Sequence, residues 1–192
     1  MCAMPAKIVC VLDGRREAGD GQANSLRALD GALSGHEWRV TGYRLAELDV
    51  AACRGCFACW VRTPGVCIID DVGREIAESV IRSDVLILLT PITFGGYASA
   101  LKSAVDRLIP LILPYFQRID GEVHHVKRYE RYPSLLGVGL LPGADPKQEK
   151  TFRTVVERNG INLHAPTVRA EVVYDGADVP EAIARALSET FS

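Results

Sequence analysis

The 192-residue sequence carries no excess of one charge: 22 Lys and Arg stand against 24 Asp and Glu, a net charge of −2. Without a basic excess there is no electrostatic footprint for nucleic acid, and without a polybasic run there is none for a membrane surface. Long hydrophobic runs are missing too. The apolar stretches are strand-sized, and Met1-Cys-Ala-Met-Pro-Ala-Lys7 holds no apolar core of a secretory signal. A cytoplasmic chain with no membrane partner is therefore expected. No internal repeat or low-complexity segment stands out, and the length fits a single domain over residues 1–192 with a substantial core. What the sequence does have is cysteine. Four of its six cysteines are crowded between positions 53 and 67, and with no signal sequence, reduced thiols are expected rather than a disulfide scaffold.

The apolar pattern gives the architecture. Lys7 to Gly14 reads as a first strand and Asn24 to Leu33 as a helix with Leu26, Leu29 and Leu33 on one face; Trp38 to Leu45 is the second strand. Asp70-Asp71 then caps a helix whose buried stripe is Val72, Ile76, Val80 and Ile81. Val85 to Thr90 is an unbroken apolar or β-branched run, suited to a strand covered on both faces, and Pro91 is expected to end it. A helix from about Ala98 to Leu108, an irregular region to Pro133 and a fourth strand over Ser134 to Leu141 follow. Pro146 to Arg158 reads as a helix stopped by Asn159-Gly160, before a fifth strand near Thr167 to Tyr174 and a last helix from Pro180. Strands alternating with helices predict an α/β fold, a three-layer, doubly wound, five-stranded parallel sheet in the flavodoxin-like order 2-1-3-4-5. In such a sheet ligands bind beyond the carboxyl ends of the first and third strands. The loops there are Asp13 to Ala23 and Pro91 to Tyr97.

Pro91-Ile92-Thr93-Phe94-Gly95-Gly96-Tyr97, with Lys102 and Asp106-Arg107 behind it, resembles the flavin loop and following helix of the NAD(P)H-dependent FMN reductases. The resemblance extends from Lys7 to about Gly143. It implies that this loop wraps the isoalloxazine ring of FMN, donates backbone N–H groups to its polar edge and keeps an aromatic residue nearby. Read without the resemblance, the same residues make a rigid turn whose glycines serve packing and whose Phe94 and Tyr97 belong to the core. In the first loop the family usually has a Gly-Ser start and a later Asn-Thr or Asn-Ser for the FMN phosphate. Gly14 and Asn24-Ser25 match, the serine is missing, and Arg15 and Arg16 supply positive charge offset by Glu17 and Asp20.

Cys53-Arg-Gly-Cys56-Phe-Ala-Cys59, followed after seven residues by Cys67, sets soft ligands at close spacing. A [4Fe–4S] cluster, a zinc ion, a redox-active CxxC pair and small buried thiols beside a subunit contact all remain open. The motif also resembles that of the iron–sulfur flavoproteins, which share the fold and pass electrons between FMN and a cluster. Residues 111–133 form a long insertion with Tyr115, Phe116, Tyr129 and Tyr132 beside His124, His125, Lys127, Arg128 and Arg131. It reads either as a lid receiving an acidic group or as a basic edge anchoring a homodimer or higher homo-oligomer. The resemblance thus implies an FMN-dependent oxidoreductase passing electrons from NAD(P)H to a small-molecule or redox-protein acceptor. The alternatives are an iron–sulfur electron-transfer flavoprotein and a binding module that has lost flavin. No side chain is singled out as a catalytic acid or base, because the flavin carries the chemistry.

Overall fold

A computed structural model describes residues 7–16, 25–33, 38–119 and 121–191. Five parallel strands form the sheet: β1 (Lys7–Asp13), β2 (Trp38–Arg44), β3 (Val85–Thr93), β7 (Ser134–Leu141) and β8 (Val168–Tyr174), in the order β2-β1-β3-β7-β8. Counting only these strands, that is the expected flavodoxin-like order. Alternation along each strand separates two cores. Val9, Val11, Ile87, Leu89 and Val138 face α1 (Ser25–Leu33) and α6 (Val179–Thr190), while Cys10, Leu12, Leu86, Leu88 and Leu135 face α3 (Val72–Arg82), α4 (Ser99–Asp106) and α5 (Pro146–Asn162). Both faces of the central strands are thus dry, as parallel sheets require. Burial pushes the Cys10 thiol up to about 12, so it behaves as an apolar side chain. Among the described residues no helix is long and apolar enough to cross a membrane.

Three local expectations need correction. β3 does not stop at Pro91. It runs to Thr93, with Pro91 opposite Leu140 on β7. β1 has already ended with Asp13 opposite Leu89, so one side of β3 is open at Pro91, where a residue without an N–H costs no ladder bond. Nor does Asn159-Gly160 stop α5, which continues to Asn162 with Gly160 buried inside it. A Cβ on Gly160 would collide with Val168, so this glycine lets the helix lie close to β8. The turn comes later, at His164, whose φ of 52° is left-handed. Finally, the region expected to be irregular holds an antiparallel ribbon, β5 (Ile112–Ile119) and β6 (Glu122–Lys127), with a register shift between Ile112 and Phe116. In the sequence, the Asp120-Gly121 dipeptide is the signal for such a ribbon.

The cap at Asp71 is present. Its carboxylate accepts from the N–H of Gly73 at 3.0 Å and also pairs with Arg107, the largest fully buried side chain, at 2.7 Å. Lys102 and Asp106 pair one helical turn apart, as expected of residues sharing a helix face. Arg107, next in the chain, turns inward instead.

Candidate functional site

β1 and β3 are adjacent and parallel, so their following loops leave the sheet at the same end. α1 and α4 then pack on opposite faces. This divergence opens the crevice that a doubly wound sheet offers to ligands. The N–H of Gly14 donates to Leu89 O at 2.8 Å, and a Cβ on Gly14 would lie 2.6 Å from that of Leu101. Gly14 therefore lets the first loop cross tightly over α4.

The Pro91–Tyr97 segment is a hairpin turn rather than an open loop. β4 (Gly96–Tyr97) folds back on β3, pairing Ile92 with Tyr97 and Thr93 with Gly96. Phe94 and Gly95 at the tip have φ of 50° and 79°, the left-handed pair that a two-residue hairpin requires. For Phe94 this conformation costs about 1–2 kcal/mol, and its ring is 96% exposed. Gly95 sits over α5, where a Cβ would lie 2.6 Å from that of Thr151. Its N–H donates to Gln148 Oε1 at 3.2 Å, while Gln148 Nε2 donates to Asp145 Oδ2 at 2.8 Å. At the base of the turn, Thr90 Oγ1 accepts from Ala98 N–H at 3.0 Å. Tyr97 faces inward. Its hydroxyl accepts from Asn159 Nδ2 at 2.9 Å, its ring meets Phe152 edge-on, and burial pushes its pKa up to about 12.

Between this turn and the start of α5 lies a cleft of about 580 Å³ lined by Ile92, Thr93, Phe94, Asp145, Lys147, Gln148 and Thr151. That volume falls in the range of small-molecule and cofactor sites. Gly95 turns the side where a Cβ would stand to Thr151 and its N–H to Gln148, so the cleft is bordered by Ile92, Thr93, the exposed Phe94 and the polar side chains of α5, a mixed lining that fits an isoalloxazine ring. Asp145, Lys147, Gln148 and Thr151 were missed in the sequence. The signal was the Asp145-Pro146 helix start after the fourth parallel strand, where Asp145 accepts from the N–H groups of Lys147 and Gln148 at 3.1 Å.

In the first loop Arg15 folds back on Asp13, with Nη2 2.6 Å from Oδ2 and Nε 2.8 Å from Oδ1. Its charge is thus matched inside the protein. Arg16 stays exposed and borders a second cavity, about 350 Å³, with Leu48, Ser99 and Ser103. Asn24 lies outside the described residues, as does the side chain of Ser25.

The cysteine segment lies beside the β5–β6 ribbon. Gly55 and Phe57 have φ of 61° and 57° and lead into the short helix α2 (Ala58–Val61). Cys53 and Cys56 are exposed, Cys59 is buried and Cys67 is half-buried. Burial raises the Cys59 thiol, and so does the electrostatic effect of Cys67, Cys53 and Cys56. The four are neighbours, yet among the described residues no three His, Cys, Asp or Glu side chains converge as a metal site. A cluster therefore does not fit this arrangement as it stands. Trp60 Nε1 donates to Ile112 O at 2.9 Å, and its ring lies between Phe57 and His125, with Phe116 beyond.

Three comparisons place this geometry among known proteins. An iron–sulfur flavoprotein of Methanocaldococcus jannaschii is 41% identical over 68 residues, 35% of this chain and 34% of that one. An iron–sulfur flavoprotein of Archaeoglobus fulgidus is 28% identical over 109 residues, 54% of this chain and 46% of the relative. The chain thus spans less than half the length of each of these curated relatives. The NAD(P)H:quinone oxidoreductase of Methanothermobacter marburgensis has the same fold, with a TM-score of 0.65, 16% identity and 95% of each chain covered. Residues 9–124, which hold most of β1, the cysteine segment, the glycine turn and most of the ribbon, match the NADPH-dependent FMN reductase family, and the chain belongs to that family.

Proposed function

We propose that the protein binds FMN with its ring system against the turn Pro91–Tyr97 and its phosphate toward the first loop, and passes electrons from NAD(P)H to a second acceptor. The observation that carries this reading is the Phe94-Gly95 turn at the carboxyl end of the central strand β3, beside the 580 Å³ cleft between that turn and the start of α5. Hydride acceptance and electron release are the chemistry that FMN supplies when bound. The protein's part is to hold and orient. Ile92 and Thr93 wall the cleft, Phe94 offers a flat apolar face, and Lys147 places a cation beside it. Among the described residues of the first loop, Arg16 is a charged group left exposed, and it would face the phosphate. The acceptor is a small molecule or a redox protein.

The test is titration of the purified protein with FMN, followed by anaerobic NAD(P)H oxidation. A hundredfold excess of FMN over its dissociation constant should stabilise the fold by about 2.7 kcal/mol. Colourless protein whose melt FMN does not raise, and which leaves NAD(P)H unoxidised, would sink the reading in favour of a module without flavin.

A second reading, an iron–sulfur flavoprotein using Cys53, Cys56, Cys59 and Cys67, is favoured by the close spacing of the four cysteines in the sequence and by the names of the two relatives, and it requires the four thiols to converge more than they do here. Iron and sulfide assays on anaerobically purified protein decide it: about four irons per chain supports a cluster, and none excludes it. We further propose a homodimer or higher homo-oligomer, in keeping with the exposed Phe57, Val61, Tyr115 and Phe116. The free thiols suit the reducing cytoplasm, where we place the protein.

A further inference from the structure

We infer that Gln148 is the positioning residue of the flavin turn and that Asp145 sets the direction in which Gln148 acts; this rests on the flavin reading above. The turn is made by β3 and β4, yet Gly95 at its tip is held by α5, 53 residues further along the chain. Gln148 Oε1 takes the Gly95 N–H, and one helical turn later Thr151 forms the floor on which Gly95 rests. The amide of Gln148 lies between a group that can only donate, the Gly95 N–H, and one that can only accept, the Asp145 carboxylate. Only one orientation satisfies both: nitrogen toward Asp145 and oxygen toward Gly95.

Asp145 is fixed in turn. Oδ1 accepts two helix-starting N–H groups at 3.1 Å, and Oδ2 accepts from Gln148. The Gln148 amide, then the backbone N–H groups, hold this carboxyl below the usual carboxylate range, so it stays an acceptor at neutral pH. The relay therefore runs from the cap of α5 through Gln148 to the backbone that lines the cleft. A turn at positive φ with an exposed aromatic residue has little local packing to hold it. Its placement comes from α5.

The experiment uses the full-length protein and three variants: Gln148→Ala, Gln148→Glu and the double variant Asp145→Asn/Gln148→Glu. Gln148→Ala removes the acceptor. Gln148→Glu keeps it but sets two carboxylates face to face. The double variant restores the relay with its polarity reversed, because an amide introduced at position 145 can donate to a carboxylate introduced at position 148, and that carboxylate can still accept from Gly95. In flavin-free protein, Gly95 amide exchange should speed up about tenfold in Gln148→Ala, the size of one net hydrogen bond. FMN affinity should fall about tenfold in both single variants and return to within about threefold of the parent in the double variant. The flavin midpoint potential of Gln148→Ala should move negative by about 30 mV if reduced FMN loses a further tenfold. An unchanged Gly95 exchange rate in Gln148→Ala, or a double variant no better than Gln148→Glu, overturns the assignment. A parent protein that binds no FMN overturns the flavin reading instead, and the Gly95 exchange rate alone then decides the role of Gln148.

Discussion

Removing the Asp71 carboxylate should be among the most damaging single changes away from the cleft. Arg107 is almost fully buried and donates to Asp71 Oδ1 at 2.7 Å, Asp71 Oδ2 at 2.8 Å, Ala51 O at 2.8 Å and Ile69 O at 3.3 Å. Asp71 also accepts from Ala51 N and Gly73 N, both at 3.0 Å. In Asp71→Ala the cap of α3 is lost, at about 1 kcal/mol. The guanidinium is left buried without its counter-charge, which costs about 3–5 kcal/mol. The two carbonyls still accept from Arg107, so the lower part of that range applies, and the sum is about 4 kcal/mol. With a urea slope of about 2 kcal/mol/M the midpoint should fall by about 2 M. Asp71→Asn/Arg107→Met keeps a cap and removes both charges, so it should be destabilised less than Asp71→Ala. A loss below about 1 kcal/mol, or a double variant whose cost is the sum of its parts, would refute the reasoning.

The same pair predicts a pH dependence. Hydrogen bonding from Arg107, ahead of the opposing effect of burial, holds the Asp71 carboxyl below its ordinary value. Its contribution is therefore complete above the unfolded pKa of about 3.9 and is lost as pH falls through the lower folded value. Urea unfolding of the parent should weaken steadily below about pH 4, and Asp71→Asn should remove part of that slope.

Gly160→Ala should destabilise by about 1–3 kcal/mol because a Cβ meets Val168. Gly31→Ala in α1, where a Cβ meets nothing within 4 Å among the described residues, should stabilise by about 0.5–1 kcal/mol; thermal melts of the two variants should move in opposite directions. Gly95→Ala combines a left-handed φ of 79° with a collision at 2.6 Å. It should lower FMN affinity at least about tenfold if the turn shifts by one lost hydrogen bond, while an unchanged dissociation constant would remove the turn from the flavin site. Arg16→Ala should weaken FMN binding about three- to tenfold, and less so at high salt. Arg15→Ala should have a smaller effect on phosphate binding, because Arg15 already pairs with Asp13, and titrations at two ionic strengths compare them.

By itself the sequence determined what neighbouring residues can encode. The uninterrupted run of β3 marks a strand dry on both faces, the spacing of Val72, Ile76 and Val80 marks the buried stripe of α3, and Asp71 marks its start. The alternation of strands and helices, with the right-handed crossover rule, leaves few topologies and gave the order of the sheet. The glycine turn was legible because its residue types answer to dihedral angles, which are local. Partners far apart in the chain were not legible. Lys102 pairs one turn away with Asp106, but Arg107 is joined to Asp71 across 36 residues, and only packed helices bring them together. Gly160 reads as a stop until β8 is placed against it, and Pro91 reads as a strand end until β1 proves shorter than β3. Gln148 carries no motif at all. Its meeting with Gly95 depends on where α5 starts after β7, a distance fixed by sheet register and helix packing and so decided by the tertiary structure alone.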